Sequence, residues 1–341
     1  RLRIGGRQLL ENELAGPEID TIPSRISQTV RRFAWLYIVL TAVSFLLLAG
    51  PGWLGAGDVM DTYQAFTHAL TTIGTGGFST EQASIGAFGA LTQWTVIALM
   101  VIGGINFLLL YRALILGRWR LALSDEELRW YLGILVVACL IVAGVIIAED
   151  GVGGPRAAVF EVTAVITTTG YTTVDYGQWP LFALMAVALL FFVGGCAGST
   201  SGSIKIVRHV LLGKILSREI TRTIHPELVK PVRYNGAVID QQALLAVIAF
   251  VLIYVAVFVV GSGVIAFDHS LADRPEAEAL DLIFASASAL GNSGVGLGAA
   301  GSVSFEIYGD PSTLTLTLLM WLGRLEILPV IILMRRSYWR L

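Results

Sequence analysis

Residues 62–80 read TYQAFTHALTTIGTGGFST. A short apolar stretch, Thr62–Leu70, runs into a polar segment containing Gly74, Gly76 and Gly77. Crossing the hydrocarbon of a bilayer takes about 20 residues, and at about 1.5 Å per residue a stretch this short reaches roughly halfway. A half-helix entering from one side leaves its C-terminus near the bilayer centre, where the negative end of the macrodipole favours a cation. The polar strand after it leaves carbonyls unpaired, which lipid tolerates only if they line a cavity or bind something. Glycine admits the backbone angles that turn successive carbonyls toward one axis, and rings of carbonyls can replace a cation's hydration shell. The alternative is that these glycines are close-packing positions between helices. That explains glycines within long spans better than it explains half-length helices.

The pattern recurs. Anchored on Gly76, Gly170 and Gly294, a phenylalanine stands ten residues earlier (Phe66, Phe160, Phe284) and a hydroxyl residue immediately before (Thr75, Thr169, Ser293). A further glycine follows each anchor inside the next apolar block: Gly103, Gly194 and Gly323. The companion short apolar stretches are Ala157–Ile166 and Ala279–Leu290. Each lies in a long connection, 52–91, 149–179 or 268–311, and each unit reads span, half-helix, glycine strand, span.

The rest of the chain sets the frame. Of 341 residues, 55% are hydrophobic and only 14% charged, against roughly 25% charged in a soluble domain. A soluble enzyme and a nucleic-acid binder are thereby disfavoured. Six blocks are long enough to span: 31–51, 92–116, 129–148, 180–204, 240–267 and 312–334. Twenty of the 23 Lys and Arg fall in 1–32, 112–129, 205–233 and the tail, whereas the three long connections hold only Arg156 and Arg274 against fourteen acids. By the positive-inside rule both ends of the chain face the cytoplasm. Cys139 and Cys196 lie in apolar blocks and suggest neither a disulfide framework nor a metal site. The chain opens on Arg1 without an initiator methionine or signal peptide.

Two intramembrane features stand out. Gly194 to Ser203 (GGCAGSTSGS) is a run of small residues between Phe192 and Lys205, a poor continuous helix. It reads either as broken backbone lining a cavity or as a helix with a small-residue packing face. Arg324 lies well inside the last span, with Glu326 two positions on and off its helical face. An arginine at that depth faces a cavity or a partner, so it is either a pore charge or a structural residue tied to carbonyls or an acid elsewhere. The acids Asp58, Asp61, Asp175 and Asp281 on the opposite face could concentrate cations, but a local role such as an N-cap at Asp61 is the simpler reading for each.

Five motifs in order carry a resemblance over nearly the whole chain. They are Thr71-Thr72-Ile73-Gly74-Thr75-Gly76-Gly77-Phe78-Ser79-Thr80, Thr167-Thr168-Thr169-Gly170-Tyr171, the run Gly194 to Lys205, Gly291-Asn292-Ser293-Gly294-Val295-Gly296-Leu297-Gly298, and Gly323-Arg324-Leu325-Glu326-Ile327-Leu328. The sequence resembles the membrane subunit of Trk-type potassium uptake systems in the Trk/Ktr/HKT superfamily, nearer the TrkH branch than KtrB. The resemblance implies an all-α membrane protein of repeated M1–P–M2 units resembling a potassium channel, with re-entrant pore helices. Three of the family's four units are visible: 31–116, 129–213 and 240–334, with 1–30 similar to the connector after the first. We therefore expect that the chain lacks an N-terminal unit.

Carried over residue by residue, the resemblance implies a selectivity filter at Gly74, Thr75, Gly76 and Gly77, at Thr168, Thr169, Gly170 and Tyr171, and at Asn292, Ser293, Gly294 and Val295. It implies a gate loop at 194–203 (Gly194, Gly195, Gly198, Ser199, Thr200, Ser201, Gly202) with Arg324 as a positive barrier beneath the filter. The expected function is potassium uptake, by symport or channel-like permeation, across the bacterial cytoplasmic (inner) membrane. K+ is then the transported ion, no organic cofactor is needed, and the protein is not an enzyme. Implied partners are a second copy in a homodimer, a cytoplasmic nucleotide-binding regulatory ring of the TrkA type, and membrane lipid, with no nucleic acid. The alternatives are sodium or mixed transport within the superfamily, or a secondary transporter of another solute. The three units share one orientation, which argues against the inverted repeats common in the latter. A serine intramembrane protease lacks its base, since His68, His209, His225 and His269 all fall in connections.

Overall fold

The structure, a computed structural model, describes residues 26–228, 230–271, 279–296 and 307–334. The connector expected at 1–30 lies largely outside the described residues, as do Arg274, Leu297 and Gly298.

Three long apolar helices carry the architecture: α1 (Ile26–Trp53), α6 (Glu126–Ala148) and α10 (Gln241–Leu271). Among the described residues these are the three continuous helices long and apolar enough to cross a membrane. Each packs against a half-length helix, respectively α2 (Thr62–Ile73), α7 (Gly154–Ile166) and α11 (Ala279–Gly291). At 12, 13 and 13 residues, these are about 18–20 Å long. Local chemistry sets their starts. Asp61 and Gln64 form a reciprocal capping box at α2. Pro155 sits in the first turn of α7, where its missing N–H costs nothing.

The remaining blocks do not form continuous helices. The block 92–116 splits into α3 (Ala90–Gly103) and α4 (Phe107–Leu114), bent by 105°. Gly103-Gly104 ends the first piece, and the Asn106 side chain accepts the Leu108 N–H to start the second. In block 180–204 only α8 (Leu181–Leu190) is helical, and irregular backbone runs from Phe191 to Lys205. Block 312–334 breaks at Leu325-Glu326 between α12 (Asp310–Arg324) and α13 (Ile327–Met334), with Glu326 left-handed at φ 50°. Sequence reasoning expected a break in the middle block alone. The structure has one in each, because polar or glycine-rich dipeptides that look minor in a hydropathy pattern suffice to stop a helix.

On the side rich in Lys and Arg lie α5 (Trp119–Ser124), α9 (Ile206–Ile224) and a two-stranded hairpin, β1 (Arg233–Tyr234) and β2 (Ala237–Val238). Its turn, Asn235-Gly236, has φ of 46° and 83°, the pair of left-handed angles that a tight two-residue hairpin demands.

Three hydrophobic clusters form the core, and they interlock. The first, around α1 to α3, also takes in Phe160, Ala164 and Tyr171 from the second unit. The second takes in Phe284, Ala287 and Val295 from the third, whose own cluster lies between α10, α11 and α12. Outward faces are left apolar, as at Trp35, Leu46, Leu140 and Val260, which suits a lipid solvent.

Candidate functional site

The three glycine segments have one backbone. After each half-helix a residue turns left-handed (Thr75 φ 47°, Thr168 φ 51°, Asn292 φ 57°), and two positions later a glycine does the same (Gly77 φ 67°, Gly170 φ 84°, Gly294 φ 76°). Hydrogen bonds follow suit: the N–H groups of Gly76, Thr169 and Ser293 each donate to the carbonyl five residues earlier, Thr71, Ala164 and Ser288. This corrects the register expected from the sequence. Gly77, not Gly76, corresponds to Gly170 and Gly294, so the first segment aligns as Thr75 to Phe78. The same shift explains Phe66: it is 53% exposed, whereas Phe160 and Phe284 are fully buried. Two adjacent glycines allowed either register, and the chance phenylalanine selected the wrong one.

These segments meet one another. A Cβ on Gly77 would run into the Thr169 carbonyl oxygen, and one on Gly170 into that of Ser293. The first two strands thus each present their glycine to a backbone carbonyl of the next. For Gly294 nothing among the described residues stands within 4 Å of that position. Buried tyrosines tie the units together: Tyr171 Oη bonds Thr71 Oγ1 (2.5 Å) and Thr72 Oγ1 (3.1 Å) on α2, and Tyr176 Oη donates to the Gly296 carbonyl (2.6 Å). Behind the second segment, buried Glu161 accepts both the N–H and the hydroxyl of Thr173 (2.7 and 2.9 Å). From the first unit, Gly86 N–H donates to the Thr172 carbonyl (3.2 Å).

The irregular stretch 191–205 lies against the inner ends of all three half-helices. Thr200 Oγ1 donates to the Ile73 carbonyl (3.0 Å), and Thr75 Oγ1 donates to that of Thr200 (2.9 Å). Gly202 N–H donates to Thr168 Oγ1 (2.6 Å), and a Cβ at Gly202 would sit 2.7 Å from the Gly291 carbonyl oxygen. Arg324 donates to the Thr200 carbonyl (3.1 Å). Glu326 pairs instead with Arg208 at 2.6 Å, and the Arg208 guanidinium lies 3.8 Å over the Phe250 ring. Buried Lys205 donates to the Ser201 carbonyl. Between this stretch and α1 opens a cavity of about 670 Å³, lined among others by Tyr37, Ser199, Thr200, Lys205 and Arg324.

Of the glycines expected to follow each anchor, Gly103 and Gly323 let broken helices approach the ends of α2 and α11. Their Cβ positions face the carbonyls of Ile73 and Leu290. Gly194 instead packs on its own loop, at Gly202 and Ile204. Asp61 and Asp175 serve local backbone, capping Gln64 and Gly177. No group of three His, Cys, Asp or Glu among the described residues could hold a metal. Sequence reasoning missed Glu127 and Glu161. Their only signal is a carboxylate within an otherwise apolar stretch or at its very start.

Long apolar helices, shorter helices tucked against them and backbone carbonyls gathered at glycines define a multi-pass helical membrane protein. The sequence model of TrkH, described as a cation transport protein, matches residues 1–149 and 152–340. The Trk system potassium uptake protein TrkH of Vibrio parahaemolyticus is 34% identical over 358 residues, covering 99% of this chain and 68% of that protein. Its Escherichia coli K12 counterpart is 34% identical over 351 residues with the same coverage. The crystal structure of the potassium transporter TrkH from Vibrio parahaemolyticus superposes with a TM-score of 0.83 at 30% identity, covering 98% of this chain and 71% of that one. The chain belongs to the TrkH family of cation transport proteins.

Proposed function

We propose that this chain carries potassium into the cell across the bacterial inner membrane, through a filter of backbone carbonyls above a movable intramembrane loop. The observation that carries the reading is the triple repeat of one backbone: a left-handed residue, one residue whose N–H donates to the carbonyl five positions earlier, then a left-handed glycine, with each of the first two glycines against the next strand's carbonyl. Relatives named as potassium uptake proteins support the choice of ion. In this reading α1, α6 and α10 are the M1 helices, α2, α7 and α11 are re-entrant pore helices, and the broken helices are M2. The filter comprises Thr75 to Phe78 (with Gly74 ahead of it), Thr168 to Tyr171 and Asn292 to Val295. The carbonyls stand in for water around a dehydrated K+, and the C-terminal ends of the half-helices add their dipoles.

The loop 194–203 is the gate in this reading. It occupies the space directly beneath the filter, and its contacts there are single hydrogen bonds, each worth about 0.5–1.5 kcal/mol net. Arg324 holds one of them and places a positive charge below the filter, which opposes cation leak. Basic cytoplasmic segments, including 112–129 and 205–233, are where a TrkA-type nucleotide-binding ring would dock, and two copies form the homodimer with a pore in each protomer. Expression of the gene in a bacterium without potassium uptake tests the assignment: growth at low potassium is expected. Failure to grow despite insertion in the membrane, or growth stimulation by sodium alone, would contradict it.

A further inference from the structure

The loop 194–203 is pinched at its neck. Gly194 N–H donates to the Ile204 carbonyl (2.9 Å), and Ile206 N–H to that of Gly195 (3.1 Å). A third fixing runs through a side chain at the start of α6, the long helix of the same unit. Glu127 Oε1 accepts the N–H of Ala197 (2.6 Å) and the N–H of Val207 (3.2 Å). One carboxylate oxygen therefore spans both sides of the neck and also caps the first turn of α9, whose N–H groups have no helical partners. Glu127 is 4% exposed. A carboxylate at that burial is costly unless hydrogen bonds hold it, and here those bonds go to the loop.

Glu127 is itself held from the cytoplasmic side. Asp125 starts α6 by accepting the Leu128 N–H (3.0 Å), and its other oxygen accepts from Asn235 Nδ2 (2.8 Å) at the hairpin tip. Glu126 N–H donates to Asn235 Oδ1 (2.9 Å), and Asn235 N–H donates back to Glu126 (3.2 Å). Glu126 also pairs with Lys214 on α9. The hairpin is thus hydrogen-bonded to Asp125 and Glu126, the next residue along the backbone is Glu127, and Glu127 is hydrogen-bonded to the loop neck.

We propose that Glu127 is a positioning residue that clamps the loop 194–203 in its blocking arrangement, and that the Asn235 hairpin braces the clamp. The proposal rests on the reading of that loop as a gate. Loss of the clamp frees the N–H groups of Ala197 and Val207 together, which weakens the hold on the loop at its neck and favours its opening.

The test is rubidium uptake by cells expressing the full chain, paired with amide hydrogen exchange of residues 196–207 in the purified protein. Glu127→Ala should raise uptake about tenfold, the factor that corresponds to about 1.4 kcal/mol, and should speed exchange at Ala197 and Val207. Glu127→Gln keeps an acceptor oxygen at the same place and should restore low uptake and slow exchange. Asn235→Ala, on the surface, should raise uptake by a smaller factor. Folded Glu127→Ala with unchanged uptake and exchange would overturn the proposal, as would Glu127→Gln behaving like the alanine variant. If Glu127→Ala does not accumulate, Asn235→Ala decides: raised uptake supports the clamp and unchanged uptake overturns it. Deleting Ala197–Ser201 separates the two ideas. If the deletion raises uptake while Glu127→Ala does not, the clamp fails and the gate stands; if the deletion lowers uptake, the gate reading itself fails.

Discussion

At the scale of single residues, Gly76 and Gly77 look interchangeable in the sequence and are not so in the fold. Gly77 is left-handed and abuts the Thr169 carbonyl, whereas a Cβ on Gly76 would meet nothing nearer than the Phe78 ring at 3.4 Å. A non-glycine residue pays roughly 1–2 kcal/mol for the left-handed angle alone, and at Gly77 the clash adds to it. Gly77→Ala should abolish potassium uptake while Gly76→Ala keeps most of it, as measured by uptake at matched membrane levels. The reverse order would restore the register suggested by Phe66. Tyr171→Phe removes a hydroxyl that bonds Thr71 and Thr72. It should lower thermal stability by about 1–3 kcal/mol, the cost of stranding buried partners, read as a fall in melting temperature in detergent. The identity of the glycines was legible in the sequence. Their register was not, because adjacent glycines are degenerate until neighbouring strands decide which one lacks room for a Cβ.

At the scale of elements, the sequence reveals the three long helices and the three short ones, because hydropathy and length determine both. Thr62–Leu70, Ala157–Ile166 and Ala279–Leu290 became α2, α7 and α11 with ends moved by a few residues. The breaks in α3/α4 and α12/α13 were hidden: apolar side chains flank them, and hydropathy does not register backbone angles. The hairpin has a signal in the sequence, Asn235-Gly236, a tight-turn pair between the basic loop 205–233 and the next span. Arg324 belongs to this scale because it ties the end of α12 to Thr200. Arg324→Ala should increase uptake several-fold, on the order of the tenfold that about 1.4 kcal/mol represents. A folded variant with unaltered uptake would assign the arginine to structure alone. Gly323→Ala should lower melting temperature, since its Cβ would strike the Leu290 carbonyl; overpacking of this kind costs about 1–3 kcal/mol.

At the scale of the whole molecule, the units are welded in sequence order. Phe160 and Tyr171 of the second enter the core of the first, and Phe284 and Val295 of the third enter the core of the second. The glycine strands are therefore not loose ribbons but the inner edges of a packed assembly, which is how their backbone carbonyls can hold fixed positions. Composition alone indicated a membrane protein, and the repeat indicated a cation. The meeting of the three strands over one loop is a property of tertiary packing that no single segment encodes. The central claim is that those strands choose potassium. Its most direct test is competition for rubidium uptake by K+ and by Na+, in cells carrying the wild-type chain or Gly170→Ser. The account predicts that K+ suppresses wild-type uptake and Na+ does not, and that the variant loses this discrimination. Equal suppression by both ions in the wild type, or undiminished discrimination in the variant, would contradict it.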